Sequence, residues 1–181
     1  MRVLLYGGSF DPPHIAHVRL PFDAMKMLGF DKVLYVPTFL SPLKEAPHTS
    51  DTHRLAMLKL ALTDCDWAEI STLELERGGT SYTIDTVESL QKDDCEFRLL
   101  VGGDQWAKFK QWKRWEDLLR LTNPVIMPRE GFDICDKRLL KIESHPGIST
   151  DIRKLLKEGK DIEGIVSSEV KEYITEHQLY L

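Results

Sequence analysis

Val3-Leu4-Leu5-Tyr6-Gly7-Gly8-Ser9-Phe10-Asp11-Pro12-Pro13-His14-Ile15-Ala16-His17 decides the fold of this chain. A short apolar run enters two glycines, a Pro-rich turn follows, and two histidines stand three apart where a helix would begin. Strand, tight loop, helix N-terminus is the pattern. At such a junction free backbone N–H groups and the positive end of the helix dipole face a ligand. Glycine lets the backbone approach an anion closely, because no Cβ intervenes. Residues at i and i+3 share one face of a helical turn, so both histidines would face the same ligand. The stretch predicts an anion site suited to a nucleotide phosphate.

Working outward, residues 3–6 form a short apolar run expected of a strand buried on both faces of a parallel sheet. Residues 15–28 carry helical periodicity, with Gly29 as C-cap and Pro21 inside as a kink or tight first turn. Residues 32–36 are β-rich and closed by Pro37, completing a βαβ unit. Residues 38–52 make a long polar loop, a length that marks a lid or binding loop. Asp51 or Thr52 would cap a helix over 53–62. A third strand is expected over 68–75, a turn at Gly78-Gly79 and a helix over 83–90. A strand over 97–101 stops at Gly102-Gly103-Asp104; an aromatic-rich helix over 105–121 and a strand over 124–127 follow. A loop with a short strand at 139–142, a helix over 152–156 capped by Thr150 or Asp151, and a helix over 168–177 finish the chain. Alternating strands and helices define an α/β class, with a mostly parallel, doubly wound sheet, helices on both faces and a small final helical part.

The 181 residues suit a single domain, 1–181, and 42% apolar residues supply a core. No apolar run reaches the roughly 18 residues of a membrane span. Gly7, Gly8 and Asp11 interrupt the first hydrophobic segment, so no secretory signal is read and a cytoplasmic protein is expected. Cys65, Cys95 and Cys135 are odd in number and widely spaced, which predicts reduced thiols and no zinc site. A net charge of −5 opposes a broad nucleic-acid surface but not a small phosphorylated ligand. The cations to follow are Lys44, Arg54, Lys108, Lys110, Lys113, Arg114, Arg129 and Arg153.

In open α/β sheets, ligands lie beyond the carboxyl ends of the strands where the winding reverses. Residues 7–17, 38–47, 102–104 and 148–153 would ring one such cleft. Their residues resemble a known family. Gly7-Gly8-Ser9-Phe10-Asp11-Pro12-x-His14-x-x-His17 resembles the G-G-[ST]-F-D-P-x-H-x-G-H signature of the HxGH-type nucleotidyltransferase superfamily. Ser149-Thr150-Asp151-Ile152-Arg153 resembles the tail of its second signature, I-S-S-T-x-I-R. His53-Arg54-Leu55-Ala56-Met57-Leu58, Glu74-Leu75-x-Arg77, Ser81-Tyr82-Thr83-Ile84-Asp85-Thr86, Gly102-x-Asp104 and Trp112-x-x-Trp115 look like the bacterial nicotinate-nucleotide adenylyltransferases. The resemblance covers essentially the whole chain. Three departures stand out: Ala16 replaces a glycine, Ile148 replaces a serine, and Ser41-Pro42-Leu43-Lys44 replaces P-P-H-K, keeping its lysine.

The resemblance implies a Rossmann-like fold and adenylyl transfer from ATP to nicotinate mononucleotide, with Mg²⁺ arriving on the ATP. It implies no metal ligands on the protein. Gly7, Gly8, Ser9 and Phe10 would meet the nucleotide through their backbones. His14, His17, Lys44 and Arg153 would hold the phosphates catalytically, with Ser149 and Thr150 adding hydroxyl and helix-start contacts. Thr83 would lie near the nicotinate carboxylate through its backbone, Asp104 on a ribose and Trp112 on the pyridine ring, with Gly102 also binding this substrate. Asp104 as a mere helix cap, and Trp115 in place of Trp112 on the ring, remain the competing readings; Glu74 and Arg77 are read as a structural pair. A phosphopantetheine, FMN or nicotinamide mononucleotide enzyme, or a non-catalytic nucleotide sensor, are the alternative functions. Neither G-x-x-x-x-G-K-[ST] nor G-x-G-x-x-G occurs, which opposes a P-loop kinase and a hydride-transfer enzyme. The oligomeric state is not legible.

Overall fold

The computed structural model describes residues 1–43, 45–90, 96–143, 145 and 147–181. Its first βαβ unit is β1 (Arg2–Gly8), α1 (Ile15–Leu28) and β2 (Lys32–Pro37). Then come α2 (Asp51–Ala61), β3 (Ala68–Ile70), α3 (Leu73–Arg77), α4 (Thr83–Leu90) and β4 (Glu96–Gly102). The second half holds α5 (Gly103–Trp106), a 3-10 turn (Phe109–Gln111), α6 (Trp115–Thr122), β5 (Val125–Met127), α7 (Ser149–Lys157) and α8 (Ser168–Glu176). The sheet order is β3-β2-β1-β4-β5 and all four pairings are parallel. The winding reverses between β1 and β4, as a doubly wound sheet requires.

Alternation along the strands feeds two cores. Leu4, Tyr35 and Leu100 pack with Leu20, Ala24 and Met25 of α1 and Leu58 of α2. Leu5, Val36, Leu99 and Val101 face the opposite layer with Ile84 and Val87 of α4 and Leu118 of α6. Burying each such side chain fully is worth about 1.5–3 kcal/mol. A third cluster joins Met57 of α2 to Ile152, Val170, Ile174 and Tyr180.

Helix α1 runs through Pro21, whose missing N–H leaves the His17 carbonyl without its i+4 donor. The buried Tyr35 hydroxyl donates to that carbonyl at 3.0 Å instead. Local chemistry also moves several boundaries. The expected strand over 68–75 ends at Ile70, because Glu74 turns inward within α3 and accepts from the Thr86 hydroxyl. The expected helix over 105–121 is three pieces. Trp112 is extended (φ −73°, ψ 143°) and Arg114 is left-handed (φ 53°), so the helical path stops twice. Trp106 instead stacks on Phe109 and Phe109 meets Trp112 at a tilt, with centroids 4.8 and 5.2 Å apart at a three-residue spacing. Ser50, not Asp51 or Thr52, caps α2 by accepting from the His53 amide. Residues 139–142 contribute one isolated bridge, Ile126 to Leu139, rather than a strand. The N-cap of α7 is Ile148, so neither Thr150 nor Asp151 caps it; both lie in its first turn.

Candidate active site

One cleft of about 480 Å³ opens at the carboxyl ends of β1 and β4, lined by parts of all four loop segments expected to ring it. Gly7, Gly8, Ser9 and Phe10 form its β1 edge. Phe10 is buried and left-handed (φ 50°), with its ring edge-on to Tyr6 and His17. A Cβ on Gly8 would stand 3.0 Å from that ring, so the glycine is what lets the loop close over it. Arg54, buried beneath the loop, donates to the carbonyls of Ser9 and Thr38 and ties the ends of β1 and β2 together. Ala16 is buried in the core cluster under the loop and also borders the cleft.

His14 and His17 stack, with centroids 3.7 Å apart and ring planes at 26°. The His14 amide donates to Nδ1 of His17 at 3.2 Å, which assigns the neutral His17 proton to Nε2. His14 is 2% exposed, and neither of its ring nitrogens has a hydrogen-bond partner. Burial, reinforced by the Arg129 charge, lowers its pKa from 6.5 to about 3. His14 is therefore a neutral imidazole at physiological pH, with one donor and one acceptor to offer. Unpaired buried polar atoms are costly and call for an explanation. A ligand oxygen in the cleft would accept from the ring's one N–H.

Across the cleft, the N-cap Ile148 makes no side-chain hydrogen bond to the start of α7. Ser149 Oγ donates to the Pro12 carbonyl at 3.0 Å, spending its proton on the loop. Arg153 Nη1 donates to the Asp11 carbonyl at 2.7 Å, and Nη2 to Thr150 Oγ1 at 3.3 Å. Ser149, Thr150 and Arg153 all line the cleft. Lys44 lies outside the described residues.

Thr83, Gly102, Asp104 and Trp112 line the other end. Asp104 does not cap the short helix α5, whose N-cap is Gly102. Its Oδ1 folds back over Gly102, where a Cβ would meet it at 2.8 Å. Oδ2 accepts from Gln105 Nε2 at 2.8 Å. Trp112 borders the cleft and Trp115 does not; Trp115 instead opens α6.

Sequence reasoning gave no site role to three neighbours. Arg129, just past β5, lines the cleft, donates to the Gly147 carbonyl at 3.2 Å and stands 4.0 Å from Asp104. Its position after a strand and Pro128 was the available signal. Gly147 presses on His14, where a Cβ would lie 2.7 Å from Nδ1. Glu74 is buried at the cleft edge with Oε2 unpartnered. No group of three or more His, Cys, Asp or Glu side chains able to hold a metal occurs among the described residues.

A doubly wound sheet with stacked histidines and a polar cleft at its switch point defines a ligand-binding α/β protein of the Rossmann-like kind. Comparison with known proteins narrows the class. The family model described as cytidylyltransferase-like matches residues 5–173. A relative from Herpetosiphon aurantiacus, named probable nicotinate-nucleotide adenylyltransferase, is 37% identical over 99% of this chain and 98% of its own. A like-named relative from Gemmatimonas aurantiaca is 35% identical over 99% and 92%. The solved Plasmodium falciparum nicotinic acid mononucleotide adenylyltransferase, complexed with NaAD, shares the fold at a TM-score of 0.84 and 21% identity, covering 99% of this chain and 97% of that one. The chain belongs to the cytidylyltransferase-like family and, within it, to the nicotinate-nucleotide adenylyltransferases.

Proposed function

We propose that this chain transfers the adenylyl group of ATP to the 5′-phosphate of nicotinate mononucleotide, giving nicotinate adenine dinucleotide and pyrophosphate in NAD biosynthesis. The observation that carries the chemistry is His14, a buried neutral imidazole whose two nitrogens lack partners in the cleft beside His17. The acceptor phosphate, with a second pKa near 6, is already ionised at neutral pH, so no general base is needed. One of its oxygens attacks the ATP α-phosphorus in line, a P–O bond forms, and the bond to the pyrophosphate oxygen breaks. Catalysis then rests on positioning and on stabilising negative charge.

His14 would donate one N–H to a phosphate oxygen, and His17 would do so from Nε2. Arg153, with Lys44 as the further expected cation, would neutralise the triphosphate. Ser149, Thr150 and the start of α7 would add contacts, with Gly7, Gly8, Ser9 and Phe10 offering backbone to the nucleotide. Magnesium enters as part of the nucleotide substrate, held by phosphate oxygens, which suits a hard ion that keeps several waters. At the acceptor end, Thr83 would meet the nicotinate carboxylate, Gly102 and Asp104 a ribose, and Trp112 the pyridine ring. Arg129 would add positive charge between the two halves. No helix among the described residues is long and apolar enough to cross a membrane, and we read the enzyme as cytoplasmic.

The test is pyrophosphate release from ATP with nicotinate mononucleotide, nicotinamide mononucleotide, FMN or phosphopantetheine offered separately. Release with the first and far less with the others is expected. Turnover with phosphopantetheine alone would reassign the enzyme, and release with none would remove the activity.

A further inference from the structure

Asp11 sits inside the phosphate-loop stretch, yet its carboxylate is taken up by the protein's own donors. It is 4% exposed and both oxygens are taken. Oδ1 accepts from the Tyr180 hydroxyl and from Thr49 Oγ1, each at 2.7 Å. Oδ2 accepts from the His48 amide at 2.6 Å. One carboxylate thus ties together the loop after β1, the far end of the loop over residues 38–50, and the segment after α8. The same stretch is gripped elsewhere from the second half of the chain: Arg153 donates to the Asp11 carbonyl, and the Ile15 amide donates to the carbonyl of Ile165 at 2.9 Å.

Two backbone conformations flank this knot. Phe10 (φ 50°) precedes Asp11, and Tyr180 itself sits at φ 66°, a left-handed conformation that side-chain-bearing residues adopt rarely and keep only where surrounding contacts hold them. Tyr180 is buried among Met57, Ile152 and Ile174, and burial together with the Asp11 charge pushes its hydroxyl pKa up. Its proton stays on, and it stays a donor.

We propose that Tyr180 is a positioning residue for the ATP half of the cleft. Through Asp11 it sets the loop that carries Ser9, Phe10 and His14, and it couples that loop to the long loop via Thr49 and His48. The inference rests on the reading that this loop binds ATP. Among the described residues the hydrogen bonds of Tyr180 go to Asp11, Thr49 and Met57, away from Thr83 on α4 and Trp112 in the turn before α6.

The test uses the full chain with Tyr180→Phe, Thr49→Val and the double variant, measuring KM for ATP, KM for nicotinate mononucleotide, kcat and Tm. Each single change leaves Oδ1 one donor, so the ATP KM should rise only about twofold to threefold. The double change bares a buried charged oxygen, so its ATP KM should rise about tenfold or more, beyond the product of the singles. The KM for nicotinate mononucleotide should stay within about twofold, which a merely loosened fold would not respect. An unchanged ATP KM in the folded double variant, or equal rises in both KMs, would overturn the proposal. If the double variant does not fold, an unchanged ATP KM in Tyr180→Phe overturns it alone. Wild-type protein that shows no ATP binding by calorimetry would retire the functional reading with it. Unaltered variants of an ATP-binding wild type retire only this inference.

Discussion

His14 shows how one side chain can couple stability to function. Its folded pKa of about 3 lies below the ordinary 6.5, so between those values the unfolded chain binds a proton that the native ring refuses. Stability from this group is present above pH 6.5 and is lost as pH falls toward 3, by about 1.4 kcal/mol per pH unit while the difference is one proton. Denaturant titrations at pH 6.5, 5.5 and 4.5 should show a steeper loss in wild type than in His14→Asn, by that one-proton slope. Parallel slopes would mean that the ring is not held neutral. Gly147 is the companion case. It has φ 132° and lies against the same ring, whereas Gly159 (φ 65°) has open space around its missing Cβ. Gly159→Ala should cost about 1–2 kcal/mol of stability with kcat unchanged, because only backbone strain is added. Gly147→Ala should also lower kcat, about tenfold or more, by driving a methyl into His14 and shifting a charge-stabilising donor. Equal kcat values for the two variants would contradict that placement. The residues within 7–17 and 149–153 that line the cleft were legible in the sequence because each set is contiguous and resembles a family signature. Gly147 and Tyr180 were not, and Arg129 stood out only as one cation among eight, since their relation to the site exists only across tertiary contacts, 169 residues apart for Tyr180 and Asp11.

Among the elements, α1 carries the most consequence, because His14 is its N-cap and His17 stands on its first turn. Pro21 removes the amide that would have closed on the His17 carbonyl, and Tyr35 from β2 supplies the donor. Tyr35→Phe should therefore cost about 1–3 kcal/mol, the penalty of a buried carbonyl left unpaired. In a Pro21→Ala background the new amide can take that carbonyl, so the same tyrosine change should cost measurably less. Thermal denaturation of the four-member cycle reads the coupling directly, and additive costs would sink the idea. Periodicity made α1 legible to the residue, 15–28, since a long amphipathic stretch with a glycine cap leaves little choice. It failed where stacking replaced periodicity: Trp106, Phe109 and Trp112 look helical by spacing but follow a tighter, interrupted path. It failed again at Glu74, where a buried hydrogen bond to Thr86 bends an apparently alternating strand into α3.

At the scale of the molecule, the cleft depends on parts that belong to different cores. The phosphate loop grows from the sheet, while Ser149, Thr150 and Arg153 grow from α7, whose inner side packs into the cluster of α7 and α8. That cluster meets the sheet layers through α2, where Met57 faces one core and Leu58 another. The hydrogen bonds from Arg153, Tyr180 and Ile15 add a second seam. We propose that these links make residues 1–181 one cooperative unit, and the four tryptophans make the proposal measurable. Trp67, Trp106, Trp112 and Trp115 all lie on the sheet side of the seam, whereas α7 and α8 contribute helical ellipticity without fluorescence. Tryptophan emission and far-ultraviolet circular dichroism should trace one coincident unfolding curve. A ligand gripped from both sides must stabilise both together. ATP with magnesium at about a hundred times its Kd should shift both curves by the same 2.7 kcal/mol or so. An early loss of ellipticity with no change in fluorescence would split the last two helices off as a separate unit. An ATP shift confined to one curve would place the nucleotide on one side of the seam only.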